Sequence, residues 1–348
     1  METGEFVLKV LNDLGGASAA AMCMLGDRLG LFKDLHHNGP STVAEFCQRT
    51  GVKERYAREW LSALTSAAYL EYDPETGRFS LPPDHAPCLA EEDGRFFVGG
   101  FYQMLSAMLA QHKPLARAFR EGGGVPQDAY DDDLWDGMER LTGSWIENGL
   151  VDRWIPAMPG VREKLESGAS VADVGCGRGR ALFALARAFP ASRFVGYDIF
   201  QPMIDRATAA AEALGLADQV RFEQVDAAQR LPGGHDLVTT FQVIHDLTRP
   251  LDVLRSIRGA LKPDGAYLLL ETTCCDRLEL NVGPVATALY GMSVQYCTTH
   301  CVADGGEALG MMGMPEPKVR EMAATSGFSR VQRLPFNNLF YTLYDMRI

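Results

Sequence analysis

The chain has 348 residues, 47% of them hydrophobic and 22% charged, with a formal net charge of −12. That length suits two domains rather than one small one, and the composition is that of an ordinary globular protein. The acidic surplus argues against a nucleic-acid partner, which needs a basic face.

Eight cysteines spread over this length read as reduced thiols of a cytoplasmic protein, not as a disulfide framework. The start, Met1-Glu-Thr-Gly-Glu5, is acidic. No apolar run approaches the ~20 residues of a membrane span, so no targeting segment and no membrane partner are expected.

Residues 1–35 read as one or two helices striped by Phe6, Val7, Val10, Leu11 and Leu14. The small residues of Gly15–Leu25 suit close helix packing in a homodimer better than insertion into lipid. After the break at Asn38-Gly-Pro40, Ser41 or Thr42 can cap a helix that Thr50-Gly51 stops. A second helix carries Tyr56, Trp60, Leu61 and Leu64 on one face. Tyr69–Leu81 then gives two short strands around Pro74-Glu-Thr-Gly77.

Two helices and a hairpin make a winged helix over 1–95, with either a DNA-binding or a dimerisation role. Lys53, Arg55 and Arg58 are nearly cancelled by Glu54 and Glu59, which favours the structural role. Residues 96–165 read as a helical linker rich in large side chains, among them Phe97, Met104, Trp135, Trp145 and Trp154, interrupted by the acidic loop Asp128–Asp133. Most of these belong in a core. Some are expected to wall a substrate pocket between the domains.

From residue 166 onward strands and helices alternate, as in a doubly wound parallel sheet. Strands are expected near 170–175, 193–198, 219–225, 235–241 and 264–271. Two more, near 329–334 and 338–346, would form an antiparallel edge. Residues 272–314 are too long for a plain connection and read as a lid-like insertion.

The chemistry starts at Val171-Ala-Asp-Val-Gly-Cys-Gly-Arg-Gly179, a buried strand running into a glycine turn before a helix. Gly175, Gly177 and Gly179 let backbone approach a ligand closely. A dinucleotide fingerprint would need glycine where Arg180 stands. The next strand ends on Asp198, 21 residues after Gly177, where a carboxylate can accept both ribose hydroxyls of an adenosine. The third ends on Asp226. The fourth gives His235-Asp-Leu-Val-Thr-Thr-Phe-Gln-Val-Ile-His245-Asp246, and the fifth ends on Glu271.

These motifs resemble the class I S-adenosylmethionine-dependent methyltransferases. The His245-Asp246 tip and the winged helix resemble the small-molecule O-methyltransferases among them. The resemblance implies an α/β fold, a Rossmann-like seven-stranded sheet behind a mostly helical winged-helix domain. It implies S-adenosyl-L-methionine as cofactor, S-adenosyl-L-homocysteine as product, and a small-molecule acceptor methylated on oxygen or sulfur. Cofactor contacts are expected from Asp173, Gly175, Cys176, Gly177, Gly179, Asp198, Ile199, Asp226, Ala227 and Gln242. His245 is the expected base or orienter, with Asp246 and Glu271 beside it.

Two other readings stand next to this one. The first is a cofactor-sensing regulator with a vestigial transferase domain; the second is an NAD-dependent enzyme. Cys274-Cys275 and Cys297-Thr-Thr-His300-Cys301 invite a metal reading but lack the paired spacing of structural zinc, so they are taken as buried thiols and no metal is expected.

Overall fold

The computed structural model describes residues 1–336 and 338–348. The chain divides into two units, one of residues 1–107 with 131–145 and the other of 108–130 with 146–348. Residues 96–165, expected as a helical linker, fall partly in one unit and partly in the other.

In the first unit α1 (Thr3–Arg28) gives way at Gly30, whose φ of +68° breaks the helix, to α2 (Leu31–Asn38). Thr42 opens α3 (Val43–Thr50) with a reciprocal capping box to Glu45, and Gly51 closes it. Next comes α4 (Glu54–Ser66), followed by a hairpin of β1 (Glu71–Asp73) and β2 (Arg78–Ser80). Leu35, Phe46, Trp60, Leu61 and Leu64 make the core, so the winged helix expected from the sequence is present.

The carboxyl-terminal half of α1 joins that core. A side chain at Gly26 would meet Phe32 and Trp60 at 2.6 Å, and the Trp60 indole donates to the Met22 carbonyl. The amino-terminal half is different: Phe6, Leu11 and Leu14 are 55%, 57% and 59% exposed. By length and composition α1 could cross a membrane, which corrects the expectation that no apolar run comes near that length. Its apolar residues are diluted among Ala, Gly and Met, and become one continuous rod only when wound into a helix of 26 residues.

The parts of two helices, Gly99–Ala110 and Asp132–Gly149, that fall in this unit cross where glycine faces glycine. A Cβ on Gly100 would lie 2.4 Å from the Gly137 carbonyl. Arg140 fixes the crossing by a fork onto both oxygens of Asp27, at 2.7 and 2.8 Å, and also pairs with Glu92.

The second unit is built on seven strands in the order β5-β4-β3-β6-β7-β9-β8. They are β3 (Ser170–Val174), β4 (Arg193–Asp198), β5 (Val220–Gln224), β6 (His235–Phe241), β7 (Leu261–Thr272), β8 (Arg330–Arg333) and β9 (Tyr341–Arg347). The first five pair in parallel, while β9 runs antiparallel between β7 and β8. This is the doubly wound sheet with the antiparallel edge that the sequence predicts. β7 starts earlier than expected: its register to β6 slips between His235 and Leu237, and this absorbs Lys262-Pro-Asp-Gly265 as a bulge. Its interior residues Tyr267–Leu270 are fully buried, as a strand covered on both faces must be.

Candidate functional site

The carboxyl ends of β3, β4, β6 and β7 carry the predicted residues. After β3 the backbone N–H groups of Gly175 and Cys176 donate to the Tyr197 carbonyl, which folds the turn against β4. Gly175 has φ +69°, and a side chain there would strike Val243 at 2.7 Å. Gly177 has φ +50° and faces open space, with its N–H donating to Asp198 Oδ2 at 3.0 Å. The turn is thus a backbone surface that a flat or anionic group could approach.

Asp198 closes β4. Its Oδ1 accepts the Phe200 N–H at 2.9 Å, so each oxygen holds one backbone donor and retains acceptor capacity for another. Burial pushes its pKa up, while these backbone hydrogen bonds pull it down. Ile199, next along, leaves a large apolar side chain 63% exposed.

Asp226 lies just beyond β5. One oxygen accepts the Ala228 N–H, and the other takes Arg249 at 2.7 Å, a partner that sequence reasoning did not supply. Ala227 beside it is half-buried. Asp173 is wholly inside the sheet, where the Thr239 hydroxyl on β6 donates to it at 2.6 Å. Burial raises its pKa to about 7 against that hydrogen bond. Cys176 is buried too, its thiol pKa pushed far up by burial. Gln242, just after β6, has φ +60°, a strained backbone for a side chain of its size, and its Oε1 accepts the Thr272 hydroxyl at 3.0 Å.

The tip of β6 continues into a single turn, Ile244–Asp246. His245 is buried there. Its Nδ1 lies 2.6 Å from Glu271 Oε2, and the other Glu271 oxygen accepts the backbone N–H groups of Ile244 and His245 at 2.9 and 3.3 Å. Glu271 thus meets both the histidine ring and the backbone of the turn. Asp246 Oδ1 stands 3.3 Å from His245 Nε2. Burial alone would depress the imidazole pKa, but the carboxylates of Asp246 and Glu271 overcome it and raise the value to about 9.

The insertion after β7 folds as a helix Pro284–Met292, a π-turn Ser293–Cys297 and a helix Thr298–Ala303. It returns Cys297 and His300 to the same place. Among the described residues, the group close enough to hold a metal ion is His245, Asp246 and Cys297. Sequence spacing could not reveal it, because the three come from two segments. Cys301 turns its thiol toward the Leu247 carbonyl instead, and Cys274 is half-buried beside an exposed Cys275.

Two families match the chain: a methyltransferase domain over residues 172–267 and an Rv2258c-like winged HTH domain over residues 17–91. The chain is 31% identical to a mitomycin biosynthesis 6-O-methyltransferase from Streptomyces lavendulae, over 81% of this chain and 80% of that one. It is 27% identical to O-demethylpuromycin-O-methyltransferase from Streptomyces alboniger over 48% of this chain, and spans 45% of that relative. Of a carboxy-S-adenosyl-L-methionine synthase from Desulfotalea psychrophila it spans 60%, so the chain spans about half the length of several curated relatives it matches. Among solved structures, an O-methyltransferase family protein from Burkholderia thailandensis superposes with a TM-score of 0.73 at 18% identity, covering 98% of this chain and 97% of that one. That likeness is one of fold.

Proposed function

The chain belongs to the S-adenosylmethionine-dependent methyltransferases that carry an amino-terminal winged helix, and from that premise we propose that it methylates a hydroxyl group of a small molecule. The observation that carries the reading is the buried His245–Glu271 pair at 2.6 Å, placed at the sheet edge that also carries the glycine turn.

The cofactor site fits this reading on three counts. Gly177 leaves open space over the turn, Asp198 keeps acceptor capacity for ribose hydroxyls, and Ile199 offers an exposed apolar face to a base. Gly175, Cys176, Gly177 and Gly179 would hold the methionine end, Asp226 and Ala227 the adenine, and Gln242 the approach from β6, with Asp173 bracing the turn. When bound, S-adenosylmethionine supplies an electrophilic methyl on a sulfonium and departs as S-adenosylhomocysteine.

The protein's part is to place the acceptor in line and take its proton. Glu271 accepts from Nδ1–H and fixes the tautomer, which leaves Nε2 as the basic atom. Asp246 next to Nε2 stabilises the imidazolium that forms. A hydroxyl needs such a base, because its own pKa lies well above neutral.

A homodimer completes the proposal. The exposed apolar half of α1 is a patch of the kind that a second copy covers.

Two measurements test the reading. Asp198→Ala should abolish cofactor binding in calorimetry, and unchanged affinity would overturn the site assignment. His245→Ala should cut turnover by about 10²–10⁴-fold with cofactor affinity intact. Turnover that survives removes the base role. The acceptor is to be found by screening hydroxyl and thiol compounds with labelled cofactor and mass spectrometry.

A further inference from the structure

Methyl transfer to a hydroxyl uses one face of this polar cluster and leaves the rest unexplained. Asp246 Oδ1 and both ring nitrogens of His300 are buried and have no hydrogen-bond partner among the described residues. Buried polar atoms are nearly always paired, and since the two nitrogens of one ring point apart, Asp246 Oδ1 and the nearer His300 nitrogen, Nε2, are the two that can share a partner. Cys297 Sγ lies in the same knot: one ligand-type atom each from His245, Asp246 and Cys297 falls within 4.8 Å of the other two. His300 Nε2 is 3.9 Å from Asp246 Oδ1, too far for a hydrogen bond.

The spacing has a chemical meaning. Metal–nitrogen and metal–oxygen bonds of about 2.0–2.1 Å at tetrahedral angles put neighbouring ligand atoms roughly 3.3 Å apart. His245 Nε2 and Asp246 Oδ1 are 3.3 Å apart. Glu271 on Nδ1 is the carboxylate–histidine arrangement that orients an imidazole toward a metal and makes Nε2 the better ligand. Tyr296 stacks on His300 with ring centroids 4.6 Å apart and planes within 29°, which holds the second imidazole in place. Two imidazoles, one thiolate and one carboxylate are a donor set for a borderline-soft dication, with two negative charges to balance it.

We propose that His245, Asp246, Cys297 and His300 form a site for a borderline-soft divalent cation of the zinc type, and that the bound cation inhibits the protein by occupying His245 Nε2. The binding half stands on the geometry alone. The inhibition half rests on the reading of His245 as the base, since an imidazole lone pair given to a metal cannot accept the acceptor's proton.

The test uses the full chain, stripped with a chelator and titrated with zinc. One ion per chain is expected, with affinity lowered at least tenfold in Cys297→Ser and in His300→Gln, each checked for fold by circular dichroism. Cobalt(II) gives a second readout. It should produce a thiolate-to-cobalt charge-transfer band that Cys297→Ser loses while cobalt still binds more weakly. Sub-stoichiometric binding, affinity unchanged in both variants, or a charge-transfer band that persists without Cys297 overturns the site.

With a methyl acceptor in hand, zinc should suppress wild-type turnover and do so at least tenfold less effectively in the two variants. If zinc binds as expected and turnover is indifferent to it, the inhibition fails and so does the base role, while the site stands. If turnover depends on His245 but no zinc binds, the site fails and the base role stands.

Discussion

Glu271 accepts three hydrogen bonds, from the His245 ring and from the Ile244 and His245 backbone, so one carboxylate fixes both the position and the charge of the candidate base. With the imidazole pKa at about 9, its neutral form grows as pH rises toward that value. Methyl transfer, measured free of divalent cations, should therefore climb with pH up to about 9. Glu271→Gln removes one of the charges that raise the pKa, so the rising limb should move to lower pH while the plateau falls by about 10²-fold or more. A limb that stays in place would assign the titration to another group.

Stability carries the same charge in reverse. A histidine whose folded pKa lies above its ordinary 6.5 contributes fully below that value, and the contribution is lost as pH rises through about 9. The Tm of the wild type should fall across that window, and that of His245→Gln should fall less. Asp198 and Glu271 could be read from the sequence because the first ends β4 and the second lies next to the end of β7. Arg249 on Asp226, Thr239 on Asp173 and His300 at Asp246 could not, because side-chain pairing between distant segments leaves no spacing to read.

Elements with both faces buried were the most legible. β3, β4 and β6 lie almost where continuous apolar runs end at glycine or an acid, since such strands have no polar face to blur the pattern. α1 was legible as a helix, but its two fates were not: the same apolar stripe is buried near Gly26 and bare near Phe6. If a second copy covers the bare half, Leu11→Glu should shift the protein to monomer in light scattering while its Tm changes little, because Leu11 contributes nothing to the core of its own chain. A dimer that survives would place the interface elsewhere. In the glycine turn, Gly175→Ala forces both a left-handed backbone and a collision with Val243. The strain is about 1–3 kcal/mol before the clash is counted, and cofactor affinity measured by calorimetry should fall with it.

At the scale of the whole molecule, the two units do not follow one another along the chain. Residues 131–145 return to the first after 108–130 have entered the second. A fragment ending at residue 107 lacks Arg140, the counter-charge of Asp27, and lacks Gly137, the partner of Gly100 in the helix crossing. Expressed alone it should be poorly folded by circular dichroism, although a family boundary at residue 91 suggests a self-sufficient domain. Sequence alone could not show this return, because helices of either unit have the same periodicity. The two basic side chains of α4 pair within the helix: Arg55 with Glu59, and Arg58 with Glu54 at 2.8 Å. Mobility shifts on duplex DNA should be absent at moderate salt, and a salt-resistant shift would revive the regulatory reading.

The strand order also sets a timetable for synthesis. β8 hydrogen-bonds to β9 alone, and β9 lies between it and β7. A growing chain that has made β3 to β7 can zip them in parallel, but the far edge of β7 stays bare and β8 has nothing to join until Tyr341–Arg347 emerges. During that interval the unpaired edge of β7, with its apolar run Ala266–Leu270, is open to any passing chain, which is how nascent proteins come to aggregate. β9 is therefore the stopper of the sheet, and a ribosome stalled just short of it would leave behind a product prone to clump although nearly all of the candidate site had already been made.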